Sequence, residues 1–252
     1  MTAPILPGAE PYSATGDARG ALVLHGFTGN PQSMRGLALA FADAGFTVEM
    51  PLLPGHGTDV ADMVQTRWPD WSAAADKAYV DLAARCDAVV VVGLSMGGSL
   101  SVWLAEHHPE IAGVVLVNPL VTAPDDMAAA IKEMVDGGME LMPGIGSDIA
   151  LEGSVESAYA EVPLRAALSL FAAAKEIDAA LDAVTCPVLL FTSTQDHVVD
   201  PANSEVLVAR VKGPVERITL DRSYHVATLD YDKDEIEARA VEFASGLLAS
   251  PA

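Results

Sequence analysis

The stretch Asp87-Ala-Val-Val-Val-Val-Gly-Leu-Ser-Met-Gly-Gly98 carries four consecutive valines that run into Gly93-Leu94-Ser95-Met96-Gly97. An unbroken β-branched run is how a strand buried on both faces reads. The residues after it, Gly98 to His108, place apolar side chains at helical spacing and stop before Pro109. Strand, Gly-x-Ser-x-Gly, helix is the design of a nucleophile elbow, which holds a serine at the apex of a strained turn. The flanking glycines lack the Cβ atoms that would clash where strand and helix nearly touch. The helix points the unpaired N–H groups of its N-terminus at whatever the serine attacks.

The same alternation recurs on both sides of this stretch. Ala21–His25 and Phe46–Met50 read as core strands, with a helix over Gln32–Ala44 between them and Gly45 as its C-cap signal. Residues 1–20 read as a Pro- and Gly-rich arm with room for one short edge strand. A helix over Trp68–Arg85, with Asp70 as its cap, leads into the elbow strand, and Gly113–Asn118 is the fourth strand. The rhythm then changes. Residues 120–175 hold helical pieces at Asp126–Asp136, Ser154–Ala160 and Pro163–Lys175, joined by Gly- and Pro-rich links, and no strand. Alternation resumes with strands Val188–Thr192 and Val215–Leu220 and helices over Pro201–Val211 and Asp234–Leu248. This pattern predicts a mostly parallel sheet with helices on both faces. We read 1–252 as a single α/β domain, with 120–175 a small helical cap inserted after the fourth predicted strand. Such a cap would cover the C-terminal ends of the strands, where open α/β sheets bind ligands.

Bulk composition narrows the function classes. Apolar residues make up 51% of the chain, enough for a large core, while the 19% of charged residues is too sparse for a disordered chain. The net charge of −21 disfavours nucleic acid and anionic membrane surfaces as partners. No apolar run reaches the ~18–20 residues of a membrane span, and the first residues lack the features of a signal peptide. The expectation is a soluble cytoplasmic protein, monomer or dimer, with no nucleic-acid partner and no membrane insertion. Cys86 and Cys186 are far apart and lack metal-ligand spacing, so they read as reduced structural thiols and no metal site is expected.

A serine hydroxyl is a weak nucleophile at neutral pH and needs a base, a group to orient that base, and donors for the oxyanion. Of the six histidines, His225 lies in the loop between the last strand and the last helix, which gives the chain order Ser…Asp…His. His107 and His108 end the elbow helix and read as solvated, and His25 and His56 precede the elbow. The loop Thr192–Pro201 offers two carboxylates. Asp196, nearer the strand end, is the preferred acid; Asp200, just before Pro201, reads more simply as an N-cap and is the fallback. His197 reads as an exposed neighbour of the acid. The oxyanion amides would be those of Met96, after the serine, and Phe27, in the loop His25-Gly-Phe-Thr-Gly29. In the cap, Met127, Met134, Met139 and Met142 cluster with Ile131, Leu141 and Ile145. Methionine surfaces adapt to flexible apolar partners such as an acyl chain, although the same residues could simply pack the cap onto the body.

From about residue 20 onward the chain resembles the α/β-hydrolase superfamily, in particular its bacterial carboxylesterases and monoacylglycerol lipases. The resemblance is carried by His25-Gly-Phe-Thr-Gly-Asn30, Pro54-Gly-His-Gly57, Gly93-Leu-Ser-Met-Gly97, Gln195-Asp196 and Tyr224-His225. It implies Ser95 as nucleophile, Asp196 as acid, His225 as base, and the N–H groups of Phe27 and Met96 as the oxyanion hole. It further implies a structural role for His56, no cofactor, and a small-molecule substrate, namely short- to medium-chain carboxylic esters or monoacylglycerols. The same triad serves thioesterases, acyltransferases and C–C bond hydrolases, and some proteins of this fold are non-catalytic ligand receptors. Ser95 at the elbow argues against dehalogenase or epoxide hydrolase chemistry, which needs a carboxylate there.

Overall fold

In the computed structural model, which describes residues 3–248, the chain opens with β1 (Tyr12–Ala14), β2 (Arg19–Leu24), α1 (Arg35–Asp43), β3 (Thr47–Met50), α2 (Val60–Val64) and α3 (Trp68–Ala83). The elbow unit follows as β4 (Ala88–Leu94) and α4 (Met96–His107), then β5 (Gly113–Val117). The inserted segment contributes α5 (Asp125–Asp136), β6 (Leu141–Pro143), β7 (Glu161–Pro163) and α6 (Leu164–Ala180). The chain closes with β8 (Val188–Ser193), α7 (Ala202–Arg210), β9 (Val215–Leu220) and α8 (Lys233–Leu247). The first two residues of the predicted arm lie outside the described residues.

Seven strands form one sheet in the order β1-β3-β2-β4-β5-β8-β9, parallel throughout except for β1, which runs antiparallel to β3 at the edge. The valine run explains why helices cover both faces. Successive side chains of a strand point to opposite faces. Val89 and Val91 enter the core built with Trp71, Tyr79 and Leu100, whereas Val90 and Val92 enter the core built with Leu37, Phe41 and Ile236. Helices α3, α4 and α6 therefore cover one face, and α1 and α8 the other. The predicted α/β architecture is borne out. Because β1 adds a strand at the edge, the insertion follows the fifth strand of the sheet, which is the fourth predicted one.

Several local expectations are corrected. Residues 154–160 are not helical, and the inserted segment does contain strands: β6 and β7 pair antiparallel, Leu141 opposite Pro163 and Met142 opposite Val162. Distant partners hold 154–160 in an irregular path instead of letting it coil into a helix. Ser154 Oγ donates to the Leu229 carbonyl, the Ser157 N–H donates to Gln32 Oε1, and the Tyr159 N–H donates to the Thr28 carbonyl. Tertiary contacts of this kind override weak local propensity. The short helix α2 was not expected; Asp59 caps it by accepting the Ala61 N–H. Asp70 is not the cap of α3 but sits one turn inside it, where its carboxylate reaches back to the Arg67 N–H at 2.8 Å. His108 is not solvated. Its ring nitrogens lie 2.6 Å from Asp76 and 3.2 Å from Glu110, and the ring rests on Tyr79. Both cysteines are free thiols. Among the described residues no helix is long and apolar enough to cross a membrane.

Candidate active site

The turn after β4 carries Ser95 at φ 56°, ψ −116°, a region that costs a non-glycine residue about 1–3 kcal/mol. The surroundings impose it. The Ser95 N–H donates to the Val117 carbonyl at 3.0 Å, and its own carbonyl accepts the Ser99 N–H at 3.0 Å. A Cβ on Gly93 would strike the Gly97 carbonyl, and one on Gly97 would strike the Leu24 carbonyl. The two glycines are thus required by the close approach of α4 to β2 and β4. Among the described residues three non-glycine residues have positive φ: Thr28, Ser95 and Asn118. They sit at the C-terminal ends of β2, β4 and β5 respectively, so the strain is gathered at one end of the sheet.

His225 is held at three points. Its Nδ1 lies 2.7 Å from Asp196 Oδ2, with both side chains buried. Its backbone N–H donates to Asp148 Oδ2 at 3.1 Å, and its carbonyl accepts from Asn118 Nδ2 at 2.8 Å. Asp148 is also bonded at its own carbonyl by the next residue, Val226. Asp196 is itself oriented, because its Oδ1 accepts the N–H groups of Val198 and Val199, each at 2.8 Å. Asp200 plays no part in this network; it accepts the Ala202 N–H at the start of α7. His197 is partnered, its Nδ1 lying 2.8 Å from Asp148 Oδ1 and its ring meeting Tyr224 edge-on. Among the described residues Ser95 Oγ has no hydrogen-bond partner. Contacts of this type commonly tighten only when substrate is bound.

The loop after β2 is shaped by a buried histidine. His25 Nε2 accepts the Leu53 N–H at 3.1 Å, so Nδ1 must carry the proton it donates to the Gly26 carbonyl. Burial pushes this imidazole down to about 4, which keeps it neutral and fixes that tautomer. His56 packs edge-on against His25 and Trp71 and is pushed down to about 3 by burial and by His25. It packs behind Phe27 and is not among the residues that line the cavity. Phe27 rests against Trp71, and among the described residues its N–H donates to no other group. Met96 opens α4, so its N–H is one of the unpaired donors of a helix start.

These residues converge on a cavity of about 280 Å³. Ser95, Phe27 and His225 line it together with Thr28, Asp148 and Glu156. The opposite wall is apolar and comes from the inserted segment: Met127, Ile131, Met142, Ile145, Leu170 and Phe171. Of the predicted methionine cluster, Met127 and Met142 reach the cavity, while Met134 and Met139 are exposed elsewhere. Burial raises the carboxyl pKa of Glu156, opposed by the nearby His225 and Ser33. Asn118, Asp148 and Glu156 escaped the sequence reading. Asn118 left one signal, an amide residue at a strand end where αL geometry is tolerated. Asp148 and Glu156 left none, because the inserted segment has no period from which to place them.

A family model described as "Serine aminopeptidase, S33" (Hydrolase_4) matches residues 16–232. The thermostable monoacylglycerol lipase of Bacillus sp. (strain H-257) is 44% identical over 244 residues, covering 95% of this chain and 96% of that protein. The carboxylesterase of Bacillus subtilis (strain 168) is 23% identical, covering 94% of this chain and 97% of its own length. A solved structure from work on LipS and LipT, two metagenome-derived lipolytic enzymes, superposes with a TM-score of 0.93 at 43% identity, covering 96% of this chain and all of that one. With a match across most of its length, the chain belongs to the Hydrolase_4 family of serine hydrolases, built on the α/β-hydrolase fold.

Proposed function

We propose that the enzyme hydrolyses carboxylic esters, with monoacylglycerols as its preferred class, through an acyl-enzyme on Ser95. The carrying observation is a cavity with two characters, an apolar wall from the inserted segment that suits an acyl chain and a polar end at the elbow. In this reading residues 120–175 form the cap that supplies the apolar wall. His225, with its Nδ1–H given to Asp196, keeps Nε2 free to take the Ser95 proton as Oγ attacks the ester carbonyl. The N–H groups of Phe27 and Met96 stabilise the oxyanion. His225 then returns the proton to the leaving alcohol, and water activated by the same nitrogen releases the acid. The similarity to a monoacylglycerol lipase over nearly the whole chain supports the same reading.

The glycerol side follows from which polar groups have capacity left. Asp148 spends its oxygens on N–H groups of the His197 and His225 loops. The Tyr159 hydroxyl is engaged by Gly55 and Thr58. Glu156 remains, and a carboxyl drawn toward its neutral form suits hydroxyl groups better than the ammonium group an aminopeptidase would anchor. Glu156→Ala is therefore expected to raise KM for a monoacylglycerol about 3- to 10-fold, the worth of one lost hydrogen bond. KM for the methyl ester of the same acid should not move. Equal shifts for both esters would remove Glu156 from the glycerol subsite.

Phe171 lines both the inner cavity and a second hollow between α5 and α6, beside Lys132 and Lys175. It stands as the partition that limits acyl length. Phe171→Ala is expected to raise kcat/KM for palmitoyl over octanoyl esters by roughly tenfold, on the scale by which apolar pockets discriminate length. An unchanged ratio would mean that the chain ends elsewhere. The function itself is tested with a panel of monoacylglycerols, p-nitrophenyl esters, an acyl-CoA thioester and aminoacyl anilides. Faster turnover of the thioester or the anilide than of every oxygen ester would overturn it.

A further inference from the structure

Asp148 belongs to the inserted segment, yet its carboxylate is buried against the two loops that carry His225 and Asp196. Its Oδ2 accepts the N–H groups of His197 and His225, each at 3.1 Å, and its Oδ1 lies 2.8 Å from His197 Nδ1. Its carbonyl accepts the Val226 N–H at 3.1 Å. A matching set of bonds runs the other way. Asp230, fully buried in the loop after His225, accepts the N–H groups of Ala150 at 2.7 Å and Leu151 at 2.8 Å, as well as that of Tyr224. Residues 148–151 and 224–230 therefore grip each other by reciprocal carboxylate–amide bonds, a short and directional class of contact.

Asp148 differs from Asp230 in where it acts. It sits on the main chain of His225 itself and on the residue next to Asp196. Without its oxygens two N–H groups lose their acceptor, one of them on the buried His225, and the loops must shift to satisfy it. Asn118 still holds the His225 carbonyl from the other side at 2.8 Å. The imidazole would therefore pivot about that bond rather than come loose, and the pivot would act on the 2.7 Å contact with Asp196. We propose that Asp148 is a positioning residue: a carboxylate of the inserted segment that sets His225 and Asp196 in register for proton transfer. This inference rests on the reading of His225 as base and Asp196 as its acid. It makes the base's geometry depend on how residues 144–151 are seated.

The test compares Asp148→Ala, Asp148→Ser and Asp148→Asn on a soluble p-nitrophenyl ester, below each variant's unfolding temperature. Rates are taken per serine titrated by a phosphonate ester, so misfolded protein does not count. Asparagine can give its oxygen to the two backbone N–H groups and its amide to the other tautomer of His197. The expected result is a kcat loss of about 10² in Asp148→Ala, the cost of a misplacement near 1 Å, with KM almost unchanged. Asp148→Asn should recover to within about threefold of the parent, and the serine variant should fall between. The downfield proton signal of His225 Nδ1–H should broaden in the alanine variant and return in the asparagine one. If Asp148→Ala does not fold, Asp148→Ser is held to the same criteria. The inference is overturned if the alanine or serine variant loses only thermal stability, with kcat and the proton signal at parent values. It is also overturned if Asp148→Asn is as impaired as Asp148→Ala. A fully active His225→Ala variant would instead overturn the underlying triad reading, which separates the two failures.

Discussion

Ser95→Ala is expected to lose ester hydrolysis by about 10⁶ in kcat, the scale on which loss of the nucleophile acts in serine hydrolases, while the fold stays intact. The two halves of this expectation come from different observations. On the mechanism proposed above, activity is lost because the Ser95 side chain carries the attacking oxygen. Stability is retained because, among the described residues, the Ser95 hydroxyl holds no hydrogen bond that alanine would forfeit. The bonds that impose φ 56° run through the backbone, to Val117 and from Ser99, and alanine keeps both. Alanine inherits the strained conformation unchanged, so its thermal unfolding should match the parent to within about 0.5 kcal/mol. Ser95→Gly makes a useful contrast. Glycine adopts positive φ without penalty and should unfold at a higher temperature than the parent, releasing part of the roughly 1–3 kcal/mol stored at the elbow. Specific activity and calorimetry on the three proteins decide the matter. Turnover by Ser95→Ala within tenfold of the parent would end the assignment of this serine as nucleophile.

The elbow was legible in the sequence because its determinants are local. Four valines, two glycines and a serine announce a doubly buried strand, a close helix approach and an apex within one short stretch, although Val117 and Leu24 on neighbouring strands complete the turn. The other core strands followed from the same kind of signal repeated at β2, β3, β5, β8 and β9, while their order in the sheet came only with the structure. Elements whose geometry comes from distant partners were not legible. Residues 154–160 have helix-compatible composition, yet Ser157 and Tyr159 are tied to Gln32, Thr28 and Gly55, more than a hundred positions away. The β6–β7 pair is three residues long on each side and has no alternation to read. His108 shows the same limit on a surface, since Asp76, which partners it, lies on another helix. In the site, chain order and loop position were enough to nominate Asp196 and His225. Asn118 and Asp148, which hold the backbone of His225 on either side, could not be nominated, because their role exists only once three loops have met.

The two carboxylates of the Thr192–Pro201 loop should differ sharply. Asp196→Asn is expected to lower kcat by about 10⁴, whereas Asp200→Asn should leave it within about twofold. Asp196 Oδ1 already accepts two backbone N–H groups, from Val198 and Val199, and Oδ2 faces His225 Nδ1. An asparagine at 196 must choose an orientation. With its oxygen toward the two amides, its NH₂ faces Nδ1, which must then be unprotonated. The imidazole proton moves to Nε2, and the base can no longer accept from Ser95. With the amide flipped, NH₂ opposes the N–H groups of Val198 and Val199, and the donor on the buried Val199 goes unpaired at a cost of about 1–3 kcal/mol. The first orientation is therefore favoured, and the backbone of the loop itself selects the inactive tautomer. Asp200 offers no such lever. Its Oδ1 accepts the Ala202 N–H in the turn just before α7, whose cap is Pro201, and asparagine makes the same bond about as well. Comparing kcat for the two variants, at equal folded fraction and on the same ester, tests the argument directly. An Asp200→Asn enzyme more damaged than Asp196→Asn would transfer the acid's role to the other carboxylate. Loss of less than tenfold in Asp196→Asn would mean that the tautomer of His225 is set by something other than this loop.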